Sequence, residues 1–296
     1  MTQANKHAVQ PQIISALALQ SLVFEASLSP KPGLVDPKSS GAHFDMTYFT
    51  FIDSSAALAP FLTEYVSIGM THKGSPSDLF SKIRNLGQQA EKTMLTATKG
   101  INTHKGANFS FALLLSATGK IIQDHHLSLP FSEKETTAIF TYVKDMTKGL
   151  LSKDFANLAQ KERLSYGEKL YLEHGIIGIR GEAEAGYPTL QKIALPFLRS
   201  HQKNEQHQTF LLLLLHLMAK IEDSNLINRG GVNAWKKVQN QANELLETFS
   251  INSSINELEQ ALTCFDQELT KAHLSPGGAA DLLALSYFFA QLEHLW

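Results

Sequence analysis

The sequence predicts an all-α fold in a single compact domain spanning residues 1–296. Three observations carry that expectation. Nearly every apolar pattern has the helical period, no long alternating strand occurs, and prolines, glycines and serines fall where such helices would start and stop. With 43% hydrophobic and 18% charged residues in 296, the chain has the apolar material for one large core.

Ile13, Leu17, Leu22 and Phe24 belong to a first helix that ends before "SPKPG", whose two prolines and glycine stop it. A second covers roughly Thr47 to Met70, with Pro60 a kink or break. A third runs from about Ser77 to Thr98 and is opened by "SPSD", which supplies serine caps and a proline near the first turn. Further helices follow from Ala107, Ser132, Ser165, Pro188, Glu205, Val232, Ser253 and Pro276, about ten in all. The run "FLLLLLHLM", Phe210 to Met218, reads as a helix buried on all sides. "IIQDHHLSLPF" reads as a loop, and "RSHQKNEQHQ" as a polar surface connection.

Composition excludes several classes. A net charge of -2 leaves no polybasic footprint for nucleic acid. The single Cys264 rules out an intrachain disulfide framework and fits a reducing compartment. The polar start, "MTQANKHAVQPQ", has no apolar signal segment, and the longest apolar run is too short to span a bilayer of roughly 30 Å. A cytoplasmic protein without a membrane partner is expected.

Five polar islands interrupt the apolar helices. "EASLSPKPGLVDPKSSGAHFDM" (Glu25 to Met46) carries Lys31, Asp36, His43 and Asp45. "TKGINTHKGANFSF" (Thr98 to Phe111) carries Asn102, Thr103, His104 and Lys105 at a helix start. "HGIIGIRGEAEAGYP" (His174 to Pro188) carries Arg180, Glu182 and Glu184. "IEDSNLINRGG" (Ile221 to Gly231) carries Asp223, Asn225, Asn228 and Arg229, and "SPGGAADLL" (Ser275 to Leu283) carries Gly277 and Gly278. Each has an ordinary explanation as a helix stop or cap, and Ser275-Pro276 is a good N-cap with proline at N1. Five that combine glycine with Lys, Arg, His or acid point to a site.

A helix N-terminus offers free N–H groups and partial positive charge, and glycine lets a ligand approach the backbone. His104 and Lys105 would add side-chain cations there, and Arg180 and Arg229 bidentate contacts, a combination suited to a phosphate chain. The acids Asp36, Asp45, Glu182 and Asp223, with Asn225, offer the oxygen ligands that Mg²⁺ prefers beside a polyphosphate. No G-x-x-x-x-G-K-[ST], CxxC, HExxH or GxSxG is present, and "GIIGIRG" has the wrong spacing for a dinucleotide fingerprint. The residues alone therefore indicate a helical enzyme that binds Mg-nucleotide without phosphoryl-transfer architecture.

Those islands resemble the triphosphoribosyl-dephospho-CoA synthase family. The matching stretches are "PKPGLVD" with "GAHFDM", "NTHKGANF", "RGEAEAGYP", "DSNLINRGG" and "SPGGAADLLA", in the family's order and over almost the whole chain. Small residues usually fill the places of Glu184 and Ala185, which makes Glu184 a weaker catalytic candidate than Glu182; an aromatic is more usual at His174. The resemblance implies an all-α enzyme whose substrates are ATP and 3′-dephospho-CoA. The 2′-hydroxyl of dephospho-CoA would attack C1 of the ATP ribose, and adenine would leave. The product would be the prosthetic-group precursor for the acyl carrier subunit of citrate lyase or malonate decarboxylase, which a separate transferase then attaches. A homodimer is compatible with this reading.

Cleaving an N-glycosidic bond builds oxocarbenium character at C1, as in glycoside hydrolysis. On that chemistry Glu182 is the candidate base or oxocarbenium stabiliser, and Asp223 and Asp36 are candidates for the second acid role. Asp36, Asp45 and Asp223 are the candidate metal ligands. Lys31, His43, Asn102, His104, Lys105, Arg180, Asn225, Arg229, Gly277 and Gly278 are the candidate substrate contacts. Asp281 reads as a first-turn acid complementing its helix dipole. A rival is an Mg-dependent helical glycosyl hydrolase acting on ADP-ribose-like substrates, with water as acceptor. A non-enzymatic helical scaffold would leave Arg180, Glu182 and Asp223 without a common cavity.

Overall fold

Capping chemistry sets several helix starts. Ser75 Oγ accepts the Asp78 N–H at 3.2 Å while Asp78 accepts the Ser75 N–H at 3.1 Å, and Ser132 and Glu135 repeat the exchange. The computed structural model describes residues 9–156, 158, 161, 164 and 166–296. The expectations of a polar start over residues 1–8 and of a helix opening at Ser165 lie outside them.

The described residues form helices joined by loops, with no strand among them. In order come α1 (Pro11–Ser27), α2 (Tyr48–Thr71), α3 (Pro76–Ala97), α4 (Lys105–His125), α5 (Glu133–Met146), α6 (Leu150–Asp154) and α7 (Tyr166–His174). Then follow α8 (Gly178–Glu184), a π-helical turn (Leu190–Ala194), α9 (Leu195–His201), α10 (Gln206–Lys220), α11 (Ser224–Thr248), α12 (Ile255–Lys271) and α13 (Gly277–Leu292). Pro60 lies inside α2 without ending it.

Three elements, α4, α10 and α13, are buried along most of their length and form the centre. The leucine run of α10 is buried, as its composition demands, with His216 half-buried. Around this centre α2 packs against α1, α3 and α4, while α10 packs against α11 and α13. Gly69 and Gly119 let α2 and α4 touch backbone to backbone: a β-carbon at either would overlap the Ser116 or Val66 carbonyl oxygen. The core is one apolar cluster, with a small satellite of Leu170, Ile176 and Ile227.

Three stretches read as loops are helical. "IIQDHH" continues α4 as far as His125, because Ile121 and Ile122 bury on the core, and the left-handed His126 ends it. The third island contains α8, whose Gly181 is buried against Ile177. The fourth forms the first turns of α11, capped by Asp223, and Gly231 (φ 75°, ψ 177°) breaks the helix before Val232, where a separate helix was expected.

Candidate functional site

All five islands line one cavity of about 940 Å³. From the first come Glu25, Leu34, Val35, His43, Asp45 and Met46; from the second, the run Asn102 to Gly106. The third supplies Arg180, Glu182 and neighbours, the fourth Glu222, Ser224, Asn225, Asn228 and Arg229. The last supplies Ser275, Gly277, Gly278 and Asp281. A smaller cavity of about 290 Å³ shares Lys105, Gly106 and Arg180 with it, between α3 and α4.

At the α4 start the polar residues divide their work. Asn102 Oδ1 accepts the Lys105 N–H at 3.3 Å. Lys105 Nζ pairs with Glu91 at 2.6 Å and remains about half exposed. His104 turns inward, and its Nδ1 lies 2.6 Å from Ser54 Oγ. Thr103 donates its hydroxyl to the same Ser54 oxygen, so Ser54 donates onward to Nδ1 and leaves His104 as the Nε2–H tautomer. Burial first, and then the charge of Lys31, pushes the His104 pKa down to about 3. His104 is therefore neutral, which corrects its assignment as a phosphate-neutralising cation.

Lys31 is also corrected. It is almost fully buried, is absent from the cavity lining, and spends its charge on Glu25: Nζ ion-pairs with the Glu25 carboxylate and donates to its backbone carbonyl at 2.6 Å.

Arg180 Nε donates to Asp154 at 3.0 Å, and Asp154 also holds Arg84 at 2.7 Å. Arg229 Nη1 donates to the Ala42 and His273 carbonyls at 3.0 and 3.2 Å, and Nη2 to His43 Nδ1 at 3.1 Å. His43 Nε2 lies 3.0 Å from Ser275 Oγ, so this ring ties the first and last islands together. Burial and the Arg229 charge lower its pKa to about 4. Gly277 and Gly278 bring the first turn of α13 against Asn225 and Asp223.

The carboxylates separate sharply. Glu182 faces the cavity, accepts the Thr189 hydroxyl at 2.7 Å and the Thr189 N–H at 3.2 Å, and has its pKa raised by burial against those bonds. Glu184 instead accepts the N–H groups of Gly149 and Leu151 at the start of α6. Asp36 is spent inside its own loop on the N–H groups of Lys31, Lys38 and Ser39. Asp223 is buried behind the cavity wall, where it caps α11 through Asn225 and Leu226 and holds Ala279 of α13. Burial moves the Asp223 pKa up to about 6 against those hydrogen bonds. The catalytic and metal roles expected of Asp36 and Asp223 are corrected accordingly: their oxygens already serve backbone donors, and neither lines the cavity.

Asp45 is exposed and adjacent to His43, and among the described residues no three His, Cys, Asp or Glu side chains stand together as ligands. Asp36, Asp45 and Asp223 do not stand together as one ligand set.

Three cavity acids, Glu25, Glu222 and Asp281, lie outside the site candidates of the sequence, and Asp281 stands in the second turn of α13, facing the cavity, not in the first turn as a dipole acid. For Glu25 and Asp281 the available signal was their setting: each is a lone acid in an otherwise apolar helix, "LVFEAS" in α1 and "AADLLALSYFF" in α13, where burying a charge is costly without a purpose.

Comparison with known proteins gives one consistent result. Residues 11–296 match the model of the ATP:dephospho-CoA triphosphoribosyl transferase family. A Streptococcus equi subsp. zooepidemicus protein named "Probable 2-(5''-triphosphoribosyl)-3'-dephosphocoenzyme-A synthase" is 50% identical over 287 residues, 95% of this chain and 97% of that one. A Streptococcus mutans serotype c protein of the same name is 46% identical over 289 residues, with the same coverage. A crystal structure of an Archaeoglobus fulgidus protein named "putative triphosphoribosyl-dephospho-coA synthase" has the same fold. Its TM-score is 0.50 at 19% identity, over 83% of this chain and 100% of that one. With the family model covering nearly its full length, the chain belongs to the ATP:dephospho-CoA triphosphoribosyl transferase family.

Proposed function

We propose that this transferase moves the 5-triphosphoribosyl group of ATP to the 2′-hydroxyl of 3′-dephospho-CoA and releases adenine. The observation that carries the reading is the convergence of all five islands on one cavity with cations and acids side by side. Lys105, Arg180 and Arg229 supply positive charge along its wall, and each keeps guanidinium or ammonium donors beyond those spent on Glu91, Asp154 and the loop carbonyls. Such a wall suits a triphosphate and a diphosphate that both survive the reaction.

Glu182 is the acid placed for chemistry. Its raised pKa makes it a stronger base near neutral pH than a free glutamate, and Thr189 fixes its orientation. We assign it the proton of the attacking hydroxyl, or the positive charge that develops at C1. Magnesium would accompany ATP as the counter-ion of its triphosphate. The product would serve as prosthetic-group precursor for the acyl carrier subunit of citrate lyase or malonate decarboxylase.

Mass spectrometry of the product formed from ATP and dephospho-CoA, with free adenine quantified, tests the reading. Adenine should appear only when dephospho-CoA is present, together with one equivalent of the adduct. Adenine released from ATP alone would instead mark water as the acceptor.

A further inference from the structure

Resting on the transferase reading, we propose that Asp281 donates the proton that the departing adenine takes up. Asp281 projects from the second turn of α13 into the large cavity. Its carboxyl lies directly on the first turn of α4: it accepts the Ala107 N–H, and a β-carbon at Gly106 would overlap its Oδ2. A glycine there is what allows the carboxyl to reach this depth.

The groups around Asp281 come from four elements. Glu25 of α1 and Asp223 at the start of α11 act on it as like charges, Tyr187 after α8 feels both Asp281 and Glu182, and His104 begins α4. Glu182 and Asp281 line the same cavity. Burial and two acidic neighbours hold Asp281 in its protonated form more firmly than a surface aspartate, the state a general acid needs. An independent observation points to a ligand here: His104 is 3% exposed, lines the same cavity, and its Nε2 has no partner.

The step balances. The C1–N9 bond of ATP breaks with its electron pair moving into adenine, whose N7 takes the Asp281 proton, so adenine leaves neutral. The acceptor 2′-oxygen forms the new bond to C1 and gives its proton to Glu182. One carboxylic acid becomes a carboxylate and one carboxylate an acid, and solvent restores both.

The test compares ATP with 8-azaadenosine triphosphate, whose leaving base is the more acidic and needs less protonation. With ATP, Asp281→Asn should slow base release by ~100–10,000-fold while ATP binding, measured by calorimetry, holds. With the 8-aza substrate the deficit should shrink by at least ~tenfold, part of the ~100-fold or more that a general acid contributes. The unmodified enzyme provides a second readout: kcat should fall as pH rises with ATP, and the fall should flatten with the 8-aza substrate. Equal deficits with both substrates, an Asn variant as fast as its parent, or identical pH profiles would overturn the assignment. If the parent enzyme releases no adenine in the presence of dephospho-CoA, the transferase reading itself fails, a result distinct from any of these.

Discussion

Asp223 Oδ2 accepts the N–H of Ala279 at 3.0 Å, while Oδ1 accepts from Asn225 and Leu226, so one carboxylate fastens the starts of α11 and α13 together. Asp223→Ala leaves those buried donors without a partner. It should destabilise the protein by ~2–4 kcal/mol in urea unfolding, more than a surface N-cap alone would cost. Activity should be lost in parallel with folding, because Asp223 does not reach the cavity. A variant that is inactive at full stability would show a direct chemical role.

Glu182→Gln keeps the shape and the Thr189 hydroxyl contact but removes the charge. Adenine release should fall by ~100–10,000-fold with the melting temperature nearly unchanged. Release at the parental rate would remove Glu182 from the mechanism.

Lys105 is about half exposed and its pairing with Glu91 is a surface contact. Lys105→Ala should change stability by less than ~1 kcal/mol. The KM for ATP should nevertheless rise, and the rise should shrink with added salt. An unchanged KM would take Lys105 out of triphosphate binding.

How much of this arrangement could be read in advance varied with its physical origin. Helices declared by caps, such as those at Ser75 and Ser132, were legible because capping is a local interaction. The segments that were misread are those where tertiary burial overrides local preference: glycine-rich α8 is helical because Gly181 packs under Ile177. At the site, the islands announced themselves by composition, and the convergence of Lys105, Arg180, Glu182 and Arg229 followed. The division of labour did not. Whether an aspartate faces a ligand, as Asp281 does, or a helix start, as Asp223 does, depends on which N–H groups the fold brings to it. No local pattern encodes that.

His104 supplies a pH signature. Folding lowers its pKa from 6.5 to about 3, so between those values the unfolded chain binds a proton that the native protein refuses. Stability should therefore decline as pH falls below about 6.5, by up to ~1.4 kcal/mol per unit from this group. His43, lowered to about 4, adds to the same slope. Measuring denaturation at a series of pH values, His104→Asn should give a visibly shallower acid-side decline than the parent. Parallel slopes would mean that His104 titrates normally in the native state.

The interruption at Gly231 has a mechanical meaning. Nothing crowds that position, yet its backbone angles are open to glycine alone, so the joint is enforced by the chain's own stereochemistry. Ahead of it lie Asn225, Asn228 and Arg229, facing the hollow; behind it runs the amphipathic length that grips the core. A rigid rod through both parts would force them to rotate together. The joint lets each half settle into its own register, one against the hollow and the other against the core.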